Sequence, residues 1–389
     1  MECLQKESQN RLRERFMSKR ILITSTDLMM IQFLVPHAIY LSENGFDVEI
    51  ACSDVGGRME EVRQKLNGYV QAIHVVRLVR SPVSPTNFKG YGDMKKVIDK
   101  GNYDIIWTNE PVMGVVTRLA AKNARKNGTK VLYMVHGFHF YDGAPKLNWM
   151  IYYPIEKMMA SKADVIATVN KEDYKRAQTM NVKRVEYVHG IGINTARLTL
   201  GEKKNDIRKE LGLSENDFIV LSVGELNKNK NQKTIIEAIH SINDTQIHYI
   251  LCGKGDQLER LKNIVADYQL EENVHFLGYR TDVVDICSQA DVYVMPSFRE
   301  GLPVASLEAM YCGLPLVTSN IRGLVDVMED GVSGYLCNPV DVRAFTQSIR
   351  ILKADMELRK KMAKNNQRKV IPYCIENTKK EVLKLVQSL

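Results

Sequence analysis

Short apolar runs recur along the chain, with helical segments between most of them. In the first half, strand-like runs fall at 20–25, 48–52, 70–75, 105–108, 131–136, 165–169 and 185–189. Residues 31–42 instead space their apolar side chains as a helix does, and Asn44-Gly45 supplies the stop. A second series of strands follows at 218–223, 247–252, 274–277, 292–295, 314–318 and 334–337, and residues 341–350, 356–367 and 376–389 read as helices. Near-continuous apolar strands suit burial on both faces, and their alternation with helices implies parallel, doubly wound sheets. The chain is therefore expected to be α/β, with two doubly wound domains facing a cleft, the default place for a ligand. The expected divisions are a polar tail over 1–19, a first domain over 20–198, a second over 199–372 and a final helical segment over 373–389. The polar stretch 200–205 serves as linker.

Ligands of such sheets collect at the carboxyl ends of the strands. The most informative loop there begins at Arg299-Glu-Gly-Leu-Pro-Val-Ala-Ser-Leu-Glu-Ala-Met-Tyr-Cys-Gly-Leu-Pro-Leu316. Pro303 suits a first helical turn, Gly313 the position past the last turn, and Pro315 prevents continuation, so the helix is short. Glu300 lies on the loop and Glu308 inside the helix, both toward one crevice. Between them lie Gly301, Leu302, Pro303 and Val304, and the free main-chain N–H groups of the helix start there make an anion site. One reading places a diphosphate at that helix start, a sugar near Glu300 and ribose hydroxyls near Glu308. In the other, Glu300 complements the helix dipole and Glu308 is solvated. The neighbours Leu307, Ala309 and Met310 weigh on the first side, because an unpaired charge is costly to bury among them.

Other strand ends carry further candidates. Lys228, Lys230 and Lys233 follow the strand at 218–223, where cations neutralise a diphosphate leaving group. Gly278-Tyr279-Arg280 follows the strand at 274–277, and Arg322-Gly323 follows that at 314–318. The first strand leads into Thr24-Ser-Thr-Asp27, a plain βα turn with Asp27 as N-cap or an acceptor contact. His136-Gly-Phe-His139-Phe-Tyr141 holds two histidines without a third ligand nearby, which is weak evidence for a metal. The stretch from Lys146 to Ala160 is rich in aromatics and methionine, and fits packing against the sheet or contact with a bilayer interface.

Composition narrows the class. A chain of 389 residues fits two domains rather than one core. No run of about eighteen apolar residues is present, and the polar N-terminus lacks the apolar core of a secretory signal. Seven cysteines are scattered without a Cys-x-x-Cys pair, which favours reduced cytoplasmic thiols. The net charge of +8 points to an anionic partner: nucleotide phosphates, a membrane surface or, last for want of any binding motif, nucleic acid.

The run Glu300-Gly-Leu-Pro-Val-Ala-Ser-Leu-Glu308-Ala-Met, followed by Cys-Gly-Leu-Pro-Leu-Val, resembles the Glu-x7-Glu segment of retaining family 4 glycosyltransferases. The likeness extends from about Arg20 onward, and the segments 136–156 and 170–174 resemble the branch that builds bacterial capsule and exopolysaccharide. It implies two Rossmann-like domains of the GT-B type, with the last helix crossing back onto the first. It further implies that His136 faces the donor sugar, that Lys230 clamps the phosphates and that the main chain near Gly278, Tyr279 and Arg280 reads the base. His139 and Tyr141 are acceptor candidates. Two departures stand out: Glu225 where the family usually has the clamp arginine, a gap Lys228 could fill, and Asn194 for an aspartate. The implied donor is a UDP-sugar, among them a UDP-N-acetylhexosamine, and the implied acceptor is a lipid-linked saccharide at the inner membrane face. No Asp-x-Asp motif is present, so no metal or other cofactor is expected. Three rivals stay open: a UDP-sugar epimerase of the same fold, a nicotinamide dehydrogenase, which would need a G-x-G-x-x-G after the first strand, and a non-enzymatic sugar-nucleotide-binding protein.

Overall fold

In the computed structural model, residues 18–198 and 205–389 are described. Most of the tail expected over 1–19 and nearly all of the linker expected over 200–205 lie outside them. The chain divides into two compact units, the first comprising residues up to Ile191 together with Thr378–Leu389, the second Gly192–Asn377.

The first unit is built on a seven-stranded sheet: β1 (Arg20–Thr24), β2 (Asp47–Cys52), β3 (Ala72–Val75), β4 (Ile105–Asn109), β5 (Lys130–Val135), β6 (Val165–Thr168) and β7 (Arg184–Tyr187). Every pairing is parallel, in the order β3-β2-β1-β4-β5-β6-β7. The second unit carries β8 (Phe218–Val223), β9 (Ile247–Cys252), β10 (Val274–Gly278), β11 (Val292–Met295), β12 (Leu316–Ser319) and β13 (Gly334–Cys337). Its order is β10-β9-β8-β11-β12-β13, again all parallel. In each sheet the direction of winding reverses once, between β1 and β4 and between β8 and β11, and the two reversals open the crevices where ligands of such sheets bind.

The apolar runs in β8 explain why both of its faces are covered. Phe218 and Val220 join a core with Ile235, Ile239 and Phe345, whereas Ile219 and Leu221 join another with Leu307, Met310 and Leu324. Successive strand residues point to opposite faces, so a parallel strand covered on both faces is apolar at nearly every position; the polar residue of β8, Ser222, donates to Val294 O at 2.9 Å. In the first unit, Asp27 caps the helix Leu28–Glu43, its carboxylate accepting from Met29 N at 3.0 Å.

The helix Lys146–Ala160 divides its residues. Trp149, Tyr152 and Tyr153 pack against the core of Phe138, Phe140 and Ile166, while Leu147, Met150 and Met158 are exposed, at 62%, 73% and 62%. Packing therefore accounts for its aromatics and for the buried Met159, and not for Leu147, Met150 and Met158.

Candidate active site

At the reversal point of the second sheet, the loops after β8 and β11 are tied together. Asn229 Nδ2 donates to Arg299 O at 3.0 Å, Phe298 N to Asn229 O at 2.8 Å, and Asn231 Nδ2 to Pro296 O at 3.1 Å. Across this seam Lys230 Nζ meets Glu300 Oε1 at 2.8 Å, with only 23% and 11% of the two side chains exposed. Sequence reasoning placed both residues at the site without foreseeing that they pair, because 70 positions separate them.

Behind Glu300 the backbone is closely packed. Buried Arg322 donates from Nε to Glu300 O at 3.2 Å, and a Cβ at Gly323 would lie 2.5 Å from Gly301 O. Gly323 also has φ +81, so a side chain there would be both strained and obstructed. Arg322 and Gly323 thus form the wall against which the loop 299–303, Gly301 included, rests. Pro303 is buried as the residue before the helix Val304–Tyr311, whose first turn is capped by no side chain. Val304 N donates to Leu302 O at 3.0 Å, so an anion site at this helix start rests on the N–H groups that follow it. Gly313 lies just past its end at φ +83.

Glu308 projects from that helix partly buried, and its carboxylate accepts no hydrogen bond from any described residue. Burial raises its pKa, and the charge of Arg197 opposes the rise. Buried charges are ordinarily paired, so a carboxylate left without donors is a group waiting for one.

The remaining candidates of this unit are less uniform. Lys228 is exposed and lines a small cavity of about 240 Å³ with Lys233, Arg260 and Phe298. Glu225 is exposed and accepts from Asn227 Nδ2 at 2.9 Å. Gly278 has φ +64 and Tyr279 is 66% exposed. The Arg280 guanidinium is held by Glu210 at 2.8 Å and Asp282 at 2.6 Å, and those two carboxylates push its pKa further up.

In the first unit, His136 follows β5. Its Nε2 lies 3.0 Å from Asn109 Oδ1, which can only accept, so that nitrogen carries the proton. Burial, followed by the nearby His37, lowers the His136 pKa to about 4, so the imidazole is neutral at ordinary pH. His139 stacks on Tyr152 with centroids 4.7 Å apart, and Tyr141 is half-buried in the same loop. Asp27 is buried, and besides capping its helix it receives Arg80 Nε at 2.5 Å and Nη2 at 3.1 Å.

Glu110, directly after β4, was not singled out by sequence reasoning. Its backbone sits at φ 64, ψ 156, a region occupied almost solely by glycine and costing about 1–3 kcal/mol for other residues. Its Oε2 accepts from Ser25 Oγ at 2.6 Å and Thr26 N at 2.8 Å, and Arg80 Nη2 lies 3.8 Å from Oε1. The only hint in the sequence is Glu110-Pro111 following an apolar strand. Among the described residues, no group of three or more His, Cys, Asp or Glu could hold a metal ion, His136 and His139 included.

Comparison with known proteins shows the family and the fold. The model of the glycosyl transferases group 1 family matches residues 203–369, and that of the glycosyl transferase 4-like family matches residues 22–170. EpsD of Bacillus subtilis (strain 168), named as a glycosyltransferase, is 34% identical over 373 residues, covering 94% of this chain and 96% of its own. An Escherichia coli relative, UDP-Gal:alpha-D-GlcNAc-diphosphoundecaprenol alpha-1,3-galactosyltransferase, is 27% identical, with 85% and 86% covered. The chain belongs to this glycosyltransferase family and is a transferase enzyme. Its fold is that of Anabaena HepE, solved with UDP, at TM-score 0.78, 19% identity and coverage of 95% and 100%. WaaG, a glycosyltransferase involved in lipopolysaccharide biosynthesis, has the same fold at TM-score 0.71, 15% identity and coverage of 94% and 99%. These likenesses define the two-unit GT-B architecture. No helix among the described residues is long and apolar enough to cross a membrane.

Proposed function

We propose that the chain is a retaining glycosyltransferase that moves a sugar from a UDP-sugar, N-acetylhexosamines among the candidates, to a lipid-linked saccharide. The setting is capsule, exopolysaccharide or cell-wall glycan synthesis at the cytoplasmic face of the membrane. The observation that carries this reading is the Lys230–Glu300 pair at the reversal point of the second sheet, in the same loop-and-helix segment as a carboxylate, Glu308, that accepts no hydrogen bond among the described residues. A ribose supplies the missing donors, a diphosphate suits Lys230 and the helix start beside Gly301, Leu302, Pro303 and Val304, and a sugar reaches Glu300. The main chain of Gly278 and Tyr279 is left to read the base, since the Arg280 guanidinium is committed to carboxylates. Arg322 and Gly323 hold the phosphate loop in place, and Lys228 adds positive charge. His136 contacts the donor sugar as a neutral imidazole. Asp27, His139 and Tyr141 belong to the acceptor side.

Retention is supported by two relatives named for alpha-1,3 linkages, one of them with UDP-Gal as donor. A double displacement needs a second carboxylate about 5 Å from its partner, and a lysine rather than a carboxylate stands against Glu300. Front-face substitution fits better. The bond from the anomeric carbon to the diphosphate oxygen breaks, the acceptor oxygen bonds to that carbon on the same face, and its proton passes to the departing phosphate. Lys230 stabilises the charge that grows there, without a metal.

The exposed Leu147, Met150 and Met158, with Lys146 and Lys157 on the same helix, suit peripheral contact with an anionic membrane surface. A panel of sugar nucleotides, read by thermal shift and by transfer to N-acetylglucosamine carried on a short prenyl diphosphate, tests the reading. It predicts stabilisation by UDP-sugars and an α-linked product. No response to any UDP-sugar would sink it.

A further inference from the structure

The first unit contains a cavity of about 400 Å³ whose lining includes Arg80, Glu110, Val112, Val115, Ile151 and Ile155. Thr26 and Glu110 lie at the reversal point of the first sheet, Arg80, Asn87, His139 and Glu156 add further polar groups, and the apolar groups come mainly from the two helices that follow β4 and β5. Such a site suits a molecule with a hydroxylated head and an apolar body.

Glu110 is the unusual member. Its backbone is held where a non-glycine residue is strained, and only Oε2 is engaged by Ser25 and Thr26. Its Oε1 accepts no hydrogen bond among the described residues, and Arg80 Nη2 lies 3.8 Å from it. Strain of this kind persists where surrounding structure enforces it and gathers at ligand clamps. Burial raises the Glu110 pKa, with Asp27 adding to the rise and Ser25, Thr26 and Arg80 opposing it. A partly desolvated carboxylate oxygen is a strong acceptor for a sugar hydroxyl.

We propose that Glu110 is the acceptor-recognition carboxylate of this transferase: Oε1 accepts hydrogen bonds from hydroxyls of the acceptor sugar, while the apolar carrier of that sugar lies along Val112, Val115, Ile151 and Ile155. This rests on the transferase reading and adds to it the residue that selects the acceptor. The ligand class is an amphiphilic glycoside, and neither the free sugar nor the free lipid satisfies both halves of the cavity.

The test uses the full chain with UDP present and decyl glycosides of glucose, galactose and N-acetylglucosamine below their micelle concentrations. Decylphosphocholine, which has the chain and no sugar, is the control. Isothermal titration should show at least one glycoside binding and the control not binding. Glu110→Gln should weaken that binding by about tenfold, the loss of one charged hydrogen bond. Glu110→Gly should weaken it as much or more, and glycine takes this backbone conformation without strain, so the variant is suited to remain folded. UDP affinity should not change in either variant. Equal glycoside binding by all three proteins would overturn the assignment, as would failure of every glycoside to bind a wild-type protein that binds UDP. A lowered melting temperature with unchanged glycoside binding would make Glu110 a structural brace for the Ser25–Thr26 turn. Because UDP binding is read separately, its loss would count against the transferase reading and not against the cavity.

Discussion

Replacing Glu308 by Gln keeps shape and removes charge, and the structure assigns opposite effects to ligand affinity and stability. In the free protein the carboxylate is partly buried without a donor, and desolvation raises its pKa above the ordinary value. A raised carboxyl pKa means that the fold disfavours the ionised form. That cost is present above the folded pKa and disappears as pH falls through it. At neutral pH Glu308→Gln should therefore leave the unliganded melting temperature unchanged or raise it. A ribose that donates to the carboxylate loses hydrogen bonds worth about 1.5–3 kcal/mol in Glu308→Ala, or roughly 10- to 150-fold in UDP affinity. Gln keeps one acceptor oxygen and should fall between Ala and wild type. Wild-type affinity should also decline as pH drops through the raised Glu308 pKa, and that decline should be absent in Glu308→Gln. Titration calorimetry with UDP between about pH 5 and 8, with melting curves at each pH, reads both quantities. Unchanged UDP affinity in Glu308→Ala refutes the ribose role, and a fall in melting temperature alone would make Glu308 structural.

Lys230→Ala should lower transfer and UDP affinity, and because it leaves Glu300 partly buried and unpaired it should also cost stability; adding Glu300→Gln should restore the melting temperature without restoring turnover, and recovery of turnover would remove Lys230 from the phosphate site. Glu49 in β2 is bound by His74 at 2.7 Å, Tyr103 at 2.6 Å and Arg20 at 2.5 Å, and these contacts, His74 foremost, lower its pKa from 4.5 to about 2. Its stabilisation is present above the unfolded pKa and lost as pH falls toward about 2, so Glu49→Ala should cost on the order of 3 kcal/mol at neutral pH and flatten the acid limb of a melting-temperature profile; a melting temperature equal to wild type at pH 7 would contradict this. Met150→Asp with Met158→Asp should release the protein from anionic phospholipid vesicles in co-sedimentation while leaving UDP binding intact, and undiminished sedimentation would remove this helix from the membrane contact.

Periodicity made the sheets legible because parallel strands covered on both faces need continuous apolar runs, and 21–23 and 219–221 supply them without a break. Ends were less clear: β7 is half-buried throughout, so its run 185–189 reads long where the strand is Arg184–Tyr187. The loop 299–303 and Glu308 could be found in the sequence because a proline and a glycine bracket one short helix. The partner of Lys230 could not, since the pairing joins loops that only the sheet order brings together. The commitment of Arg280 to Glu210 was hidden for the same reason, with 70 residues between them. Glu110 was missed on different grounds, because left-handed backbone at a glutamate leaves no mark in residue type.

Lys230 and Glu308 show why charge at this site resists a single rule. Lys230 already has a carboxylate at 2.8 Å, so a diphosphate must compete with Glu300 or join it, and the lysine contributes affinity only to the extent that the new anion is the better partner. Glu308 gives up no partner when a ribose arrives, so the hydrogen bonds it gains enter the affinity nearly undiminished. The paired lysine is therefore suited to a group whose charge grows during reaction, when competition tilts in its favour. The unpaired carboxylate is suited to a part of the ligand that stays the same throughout. Uniform binding lowers the free energy of substrate and transition state alike, whereas binding that strengthens with the developing charge lowers only the barrier.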